Sequence, residues 1–159
     1  MPKIKLMTEK KQESFEYELS LTRINNFKFI VDFGKETIPN LLMDEDKAVP
    51  GGEELGPTAS MLIAAAVGNC LSASLTFCMM KKRAEIKDLK TKVKLVRQRN
   101  EEGFWRIKKI EVKLNPVLNI PEEDKQKLDQ CLKIFRNYCI ASTSIEEGIP
   151  IDITVEPKN

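Results

Sequence analysis

The chain has 159 residues, 42% of them hydrophobic and 31% charged, enough for one domain with a sizeable core spanning 1–159. Its 26 basic and 24 acidic side chains leave a formal charge of +2, which gives no global field to draw in nucleic acid or an anionic membrane. It has no histidine, so Ser-His and Cys-His catalysis, most zinc sites and imidazole proton transfer are excluded. Chemistry is left to Cys, Lys, Arg, Asp, Glu or Tyr.

From the N-terminus, Met1-Pro2-Lys3-Ile4-Lys5 runs into a charged stretch with no apolar signal-like segment. The reading is a cytoplasmic protein whose thiols meet a reducing compartment. Phe15, Tyr17, Leu19 and Leu21 then alternate with polar residues, and after Asn25-Asn26 so do Phe27, Phe29, Val31 and Phe33, the pattern of a β-hairpin. If the first alternation continues, Arg23 falls on the core-facing side, where a guanidinium needs a partner or a task. If the alternation breaks at the turn, Arg23 is simply solvated.

Residues 44–57 carry Pro50-Gly51-Gly52 and Gly56-Pro57 among acidic side chains and read as a long connection or lid. Next, Met61 to Met80 is a run without charge that ends at Lys81-Lys82-Arg83. It is long enough to cross a bilayer. Asn69, Ser72, Ser74 and Thr76, together with strands on both sides, favour a buried central helix instead. Its small residues Ala64, Ala65, Ala66 and Gly68 would let a helix or sheet approach closely.

Thr91, Val93 and Leu95 alternate with Lys90, Lys92 and Lys94, and Ile110, Val112 and Leu114 with Glu111 and Lys113. These predict two half-exposed strands joined around Glu101-Glu102-Gly103, the lysine row being a solvated face. Pro121 with Glu122 and Glu123 reads as a helix start, followed by an apolar stripe of Leu128, Cys131, Leu132 and Phe135. A closing strand from Ile149 to Val155 completes an α+β fold of antiparallel sheets around a long buried helix.

The four cysteines, Cys70, Cys78, Cys131 and Cys139, show no CxxC spacing, so neither a structural metal nor a thioredoxin-like motif is expected. Cysteine is nevertheless the one nucleophile that can work without histidine, since an arginine or a helix dipole can hold its thiolate. Cys70 and Cys78 share a helix about 12 Å apart by its rise per residue, so any disulfide must join that helix to the later segment. Cys78 and Cys131 read as small core residues. Cys139 falls where a helix ends, a position with more freedom to move.

The run Gly56-Pro57-Thr58-Ala59-Ser60 through Gly68-Asn69-Cys70 resembles the loop and central helix of the OsmC (osmotically inducible protein C) and organic hydroperoxide resistance family. Tyr138-Cys139-Ile140-Ala141-Ser142 is similar to that family's second cysteine segment, and Ile149-Pro150-Ile151-Asp152-Ile153 to its closing strand. The resemblance implies an intertwined α+β homodimer that reduces organic hydroperoxides, with Cys70 as the peroxidatic thiol and Cys139 as the resolving one. Arg23 resembles the arginine that polarises the reactive thiol. The glutamate that many members carry ten residues before that thiol is Ser60 here, which leaves Glu53 and Glu54 as candidates to replace it.

The resemblance implies no bound cofactor or metal but an external dithiol reductant, of lipoyl type, with neither nucleic acid nor membrane as partner. Phe27, Phe29, Met61 and Leu62 offer an apolar lining that would favour an organic peroxide, and read equally well as plain core. Two other functions fit the same residues: a non-catalytic dimer that binds a small apolar ligand, and a redox sensor whose disulfide alters a partner.

Overall fold

The computed structural model describes residues 14–118 and 122–158. The architecture is α+β, and the chain falls into two compact units divided between Pro57 and Thr58. In the first, β1 (Ser20–Asn25), β2 (Lys28–Asp32) and β3 (Leu41–Met43) form an antiparallel sheet in that order. The β1–β2 hairpin follows from the period-2 pattern, and Asn26 takes the left-handed conformation its turn requires, with φ of 42°.

β1 begins at Ser20, not at Phe15, and Phe15 is 82% exposed ahead of it. Every residue of β1 is exposed, so Arg23 has no buried side to face. Its Nε donates to the Asn26 carbonyl at 2.9 Å, within the hairpin turn.

The 44–57 connection is strapped to an internal anchor. The Asp44 carboxylate, 2% exposed, accepts the backbone N–H groups of Glu45, Glu53 and Leu55 at 2.8, 3.2 and 3.2 Å. Burial pushes its pKa up, but these three donors and the Lys28 ammonium outweigh that and hold it below the usual carboxylate value.

The second unit is built on α1 (Ala59–Lys81) and a long antiparallel hairpin of β4 (Ile86–Arg99) and β5 (Trp105–Leu118). Thr58 caps α1, its Oγ1 accepting the Met61 N–H at 3.3 Å. The hairpin pairs Thr91 with Leu114, Val93 with Val112 and Leu95 with Ile110, so the half-buried residues share one face and Lys90, Lys92 and Lys94 are exposed. α2 (Glu122–Ile134), a 3₁₀ turn (Phe135–Tyr138) and α3 (Ile140–Glu147) follow. Pro121, read as the helix start, lies outside the described residues.

The small residues of α1 do admit the sheet. A Cβ on Gly68 would lie 2.5 Å from Val93 Cγ2, and Ser72 Oγ meets Thr91 Oγ1 at 2.6 Å. The hydroxyls of Ser72, Ser74 and Thr76 bond carbonyls four residues back, so the helix satisfies its own polar groups. Gly68→Leu is expected to force α1 off β4 and cost about 1–3 kcal/mol of stability, read as a lower midpoint in thermal unfolding.

Length and composition alone would suit α1 to a bilayer. Its seat on β4 and β5 makes it instead the core helix of the unit, with Val67, Leu71, Leu75 and Met79 buried. The expectation of burial all round holds for one side only. Met61, Ile63, Phe77 and Met80 are exposed, Met80 at 68%.

The closing strand is not formed: residues 149–155 have no regular structure. Ile149, Ile151, Ile153 and Val155 are exposed, Ile151 at 79%. A strand needs a neighbour for its N–H and C=O groups, and none of the described strands of the chain pairs with this one.

Candidate active site

Cys70 lies on α1, in the stretch that faces the 3₁₀ turn and α3. Cys139 enters from the other side of the same cluster, immediately after the 3₁₀ turn, where its N–H bonds the Arg136 carbonyl at 2.9 Å. Its extended backbone, φ −86° and ψ 97°, makes it the cap of α3, and Cys139 Sγ accepts the Ser142 N–H at 3.3 Å. The expected freedom of Cys139 is therefore absent. It is fully buried with Val67 and Leu71, and Cys70 packs against this cluster half-buried.

Both thiols are free, and Cys70 packs against the cluster that holds Cys139. Burial raises the Cys139 pKa. The Ser142 side chain and N–H, the Cys70 side chain and the Ala141 N–H together outweigh burial and leave it below the ordinary thiol value, although the Ser142 hydroxyl, buried beside it, makes no hydrogen bond of full geometry. The donor geometry at a helix start is what favours the thiolate.

A cavity of about 560 Å³ is floored by Val67, Leu71, Ile110, Val112 and Leu114, residues that pack around Cys139, although neither cysteine itself lines it. Arg136 and Glu146 also line it and are joined by two 2.8 Å contacts from Arg136 Nη2. Of the lining expected from sequence, Met61 and Leu62 do not border this cavity. Phe27 and Phe29 belong to the first unit.

Cys78 and Cys131 are core residues as read, but they are bonded to each other. The stripe of α2 turns Cys131 toward α1 with the two Cα atoms 5.8 Å apart, within the range a disulfide spans. Cys78 follows Cys70 by eight positions, and Cys139 follows Cys131 by eight. The four sulfurs thus pair as two rungs, one reduced and one oxidised.

Residues 51–154 match the sequence profile described as OsmC-like protein. The chain belongs to the OsmC-like family. Solved structures agree in fold. An OsmC-like protein of unknown function from Vibrio cholerae superposes with a TM-score of 0.71 at 14% identity, over 84% of this chain and 95% of that one. Organic hydroperoxide resistance proteins from Elizabethkingia anophelis and Bacillus subtilis give TM-scores of 0.59 and 0.56 at 13% and 16% identity. They cover 84% and 82% of this chain, and 90% of each of theirs. A search of curated protein sequences gives no match.

Within this OsmC-like chain the remaining candidates are tied up locally. Glu53 pairs with Lys28 at 2.8 Å and Glu54 with Lys47 at 3.5 Å, and together with Arg23 they lie in the first unit. Ser60 is in the first turn of α1, ten residues and about 15 Å of helix from Cys70. Sequence reasoning missed Ser142 and Asp44. Ser142 carried a signal, since it stands three residues after Cys139, the spacing of a cap and its bonded N–H.

Proposed function

We propose that the chain reduces organic hydroperoxides with Cys70 as peroxidatic and Cys139 as resolving thiol. One observation carries the reading: two free cysteines share one core cluster, the first half-buried and the second enclosed, and other residues of that cluster floor a mainly apolar cavity. A peroxide with an organic group suits such a cavity, and Cys70 is the less buried of the two cysteines. The Cys70 thiolate attacks one peroxide oxygen, the O–O bond breaks, and the alcohol leaves with a proton. Cys139 then displaces water from the Cys70 sulfenic acid and forms the disulfide.

Regeneration needs an external dithiol, for which a lipoyl-type compound is the proposed partner. Its thiolate attacks the more accessible Cys70 sulfur and expels Cys139. A leaving thiol of lowered pKa departs faster, so the hydrogen bonds on Cys139 assist this step as well. Arg23 is the proposed thiolate-stabilising arginine and Glu53 or Glu54 its accessory, on the family resemblance. A cytoplasmic setting would supply the reductant.

Ser60, in place of a glutamate, supports a second reading, in which the same cavity binds a small apolar ligand without turnover. Brief exposure of the reduced protein to one equivalent of cumene hydroperoxide separates the two by peptide mass spectrometry. A new Cys70–Cys139 disulfide supports the peroxidase; untouched Cys70 and Cys139 thiols leave ligand binding.

The partner proposed for the unpaired 149–155 segment is a second copy of the chain. Alternating exposed isoleucines there, with the bare side of α1, amount to more apolar surface than a monomer usually shows. Sedimentation should find a dimer at micromolar concentration. Ile151→Lys with Ile153→Lys should weaken it by roughly 100-fold, about 2.7 kcal/mol. A wild-type monomer would remove the proposal.

A further inference from the structure

The Cys78–Cys131 disulfide has no place in the cycle above. Cys78 is about 12 Å along α1 from Cys70, too far for exchange while the helix is intact. Both sulfurs are enclosed in a cluster with Leu75, Met79 and Ala84, which shields them from an external dithiol. Their position in the chain is more telling. Within α2, Cys131 is the one fully buried residue among the described side chains; Leu128 packs half-buried on the same cluster, Leu132 is exposed, and Gln130 takes a surface hydrogen bond from Lys82 at 2.8 Å. From Cys131 the chain runs past Phe135, which touches both core clusters, directly to Cys139.

We propose that the Cys78–Cys131 disulfide is a positioning crosslink: it fixes the segment ending in Cys139 along α1, so that the Cys139 sulfur is presented to Cys70. The two rungs are then one device. The oxidised rung sets the register in which the reduced rung can open and close. Its consequence for turnover rests on the peroxidase reading, but the geometric claim does not.

The test therefore uses no peroxide at first. Wild type and Cys78→Ala/Cys131→Ala are equilibrated with mixtures of reduced and oxidised glutathione, and the Cys70–Cys139 disulfide is quantified by alkylation and peptide mass spectrometry. The variant is expected to need a roughly tenfold more oxidising mixture for half-conversion, because the effective concentration of one thiol at the other has fallen. Circular dichroism at the same temperature establishes that both are folded, and Cys78→Ala/Cys131→Val repeats the comparison with the volume of the sulfurs refilled. Equal midpoints in wild type and a folded variant overturn the proposal.

Amide hydrogen exchange across residues 135–143 of the unsubstituted chain, before and after the bond is reduced with a phosphine in denaturant and the chain refolded with its thiols kept reduced, makes the comparison without substitution, peptide mass spectrometry establishing that the bond is open. Faster exchange after reduction supports the crosslink, and unchanged exchange overturns it. Cumene hydroperoxide is then added to wild type as a separate arm. No reaction there sinks the peroxidase and leaves the shifted glutathione midpoint standing.

Discussion

Replacing Cys70 with serine is expected to lower peroxide consumption by at least about 100-fold, since the substituted hydroxyl is neither ionised near neutral pH nor oxidised by a hydroperoxide. The comparison is a stopped-flow assay with cumene hydroperoxide and excess dithiol. Peptide mapping of parallel samples without dithiol should show no Cys70–Cys139 bond in wild type before peroxide, that bond after it, and the Cys78–Cys131 bond throughout in both proteins. The substitution is small and the site half-buried, so the fold should persist. Residual activity above a few per cent of wild type would mean that Cys139 attacks peroxide by itself. The enclosed position of Cys139 argues against that.

The β4–β5 hairpin could be read from the chain because one face is wet and the other packed. The alternation of Lys90, Lys92 and Lys94 with Thr91, Val93 and Leu95 records that directly. Gly68 was legible for a similar reason, as a gap in an apolar helix that a sheet could enter. α3 was not. Its cap is Cys139, a residue type seldom expected there, and its first turn of isoleucine, alanine and serine carries no charge pattern.

Periodicity also reached its limit at Cys78 and Cys131. It put each on a buried face, but which sulfur meets which depends on how α2 lies against α1, and spacing holds no record of that angle. The 149–155 segment fails in the opposite sense. Its alternation is as clear as that of β4, yet alternation states only which residues want cover, not where the cover comes from. The two candidate cysteines were singled out through the motifs around them. The hydrogen bonds that distinguish Cys139 from Cys70 were not, because they arise from the turn between Tyr138 and Ser142.

Those hydrogen bonds give the second strong expectation. Cys139→Ser should leave the first oxidation of Cys70 intact, let its sulfenic acid be trapped by dimedone, and cut multiple turnover by about tenfold or more. In wild type the step that closes the disulfide should quicken as pH rises through the Cys139 pKa, with a midpoint below that of an ordinary thiol. Cys70→Ala removes one of the donors, so ultraviolet titration of Cys139 in that variant should move upward, toward the free thiol. The sign for stability follows from the same shift. A thiol whose folded pKa is depressed contributes stability that is fully present above its unfolded pKa and is lost as pH falls through the folded one. Wild type should therefore gain on Cys139→Ala between pH 7 and 9 in denaturant unfolding. A gap that narrows over that interval would mean that burial, not the Ser142 and Cys70 donors, governs the sulfur, and Cys139 would then be a poor leaving group for the reductant to expel.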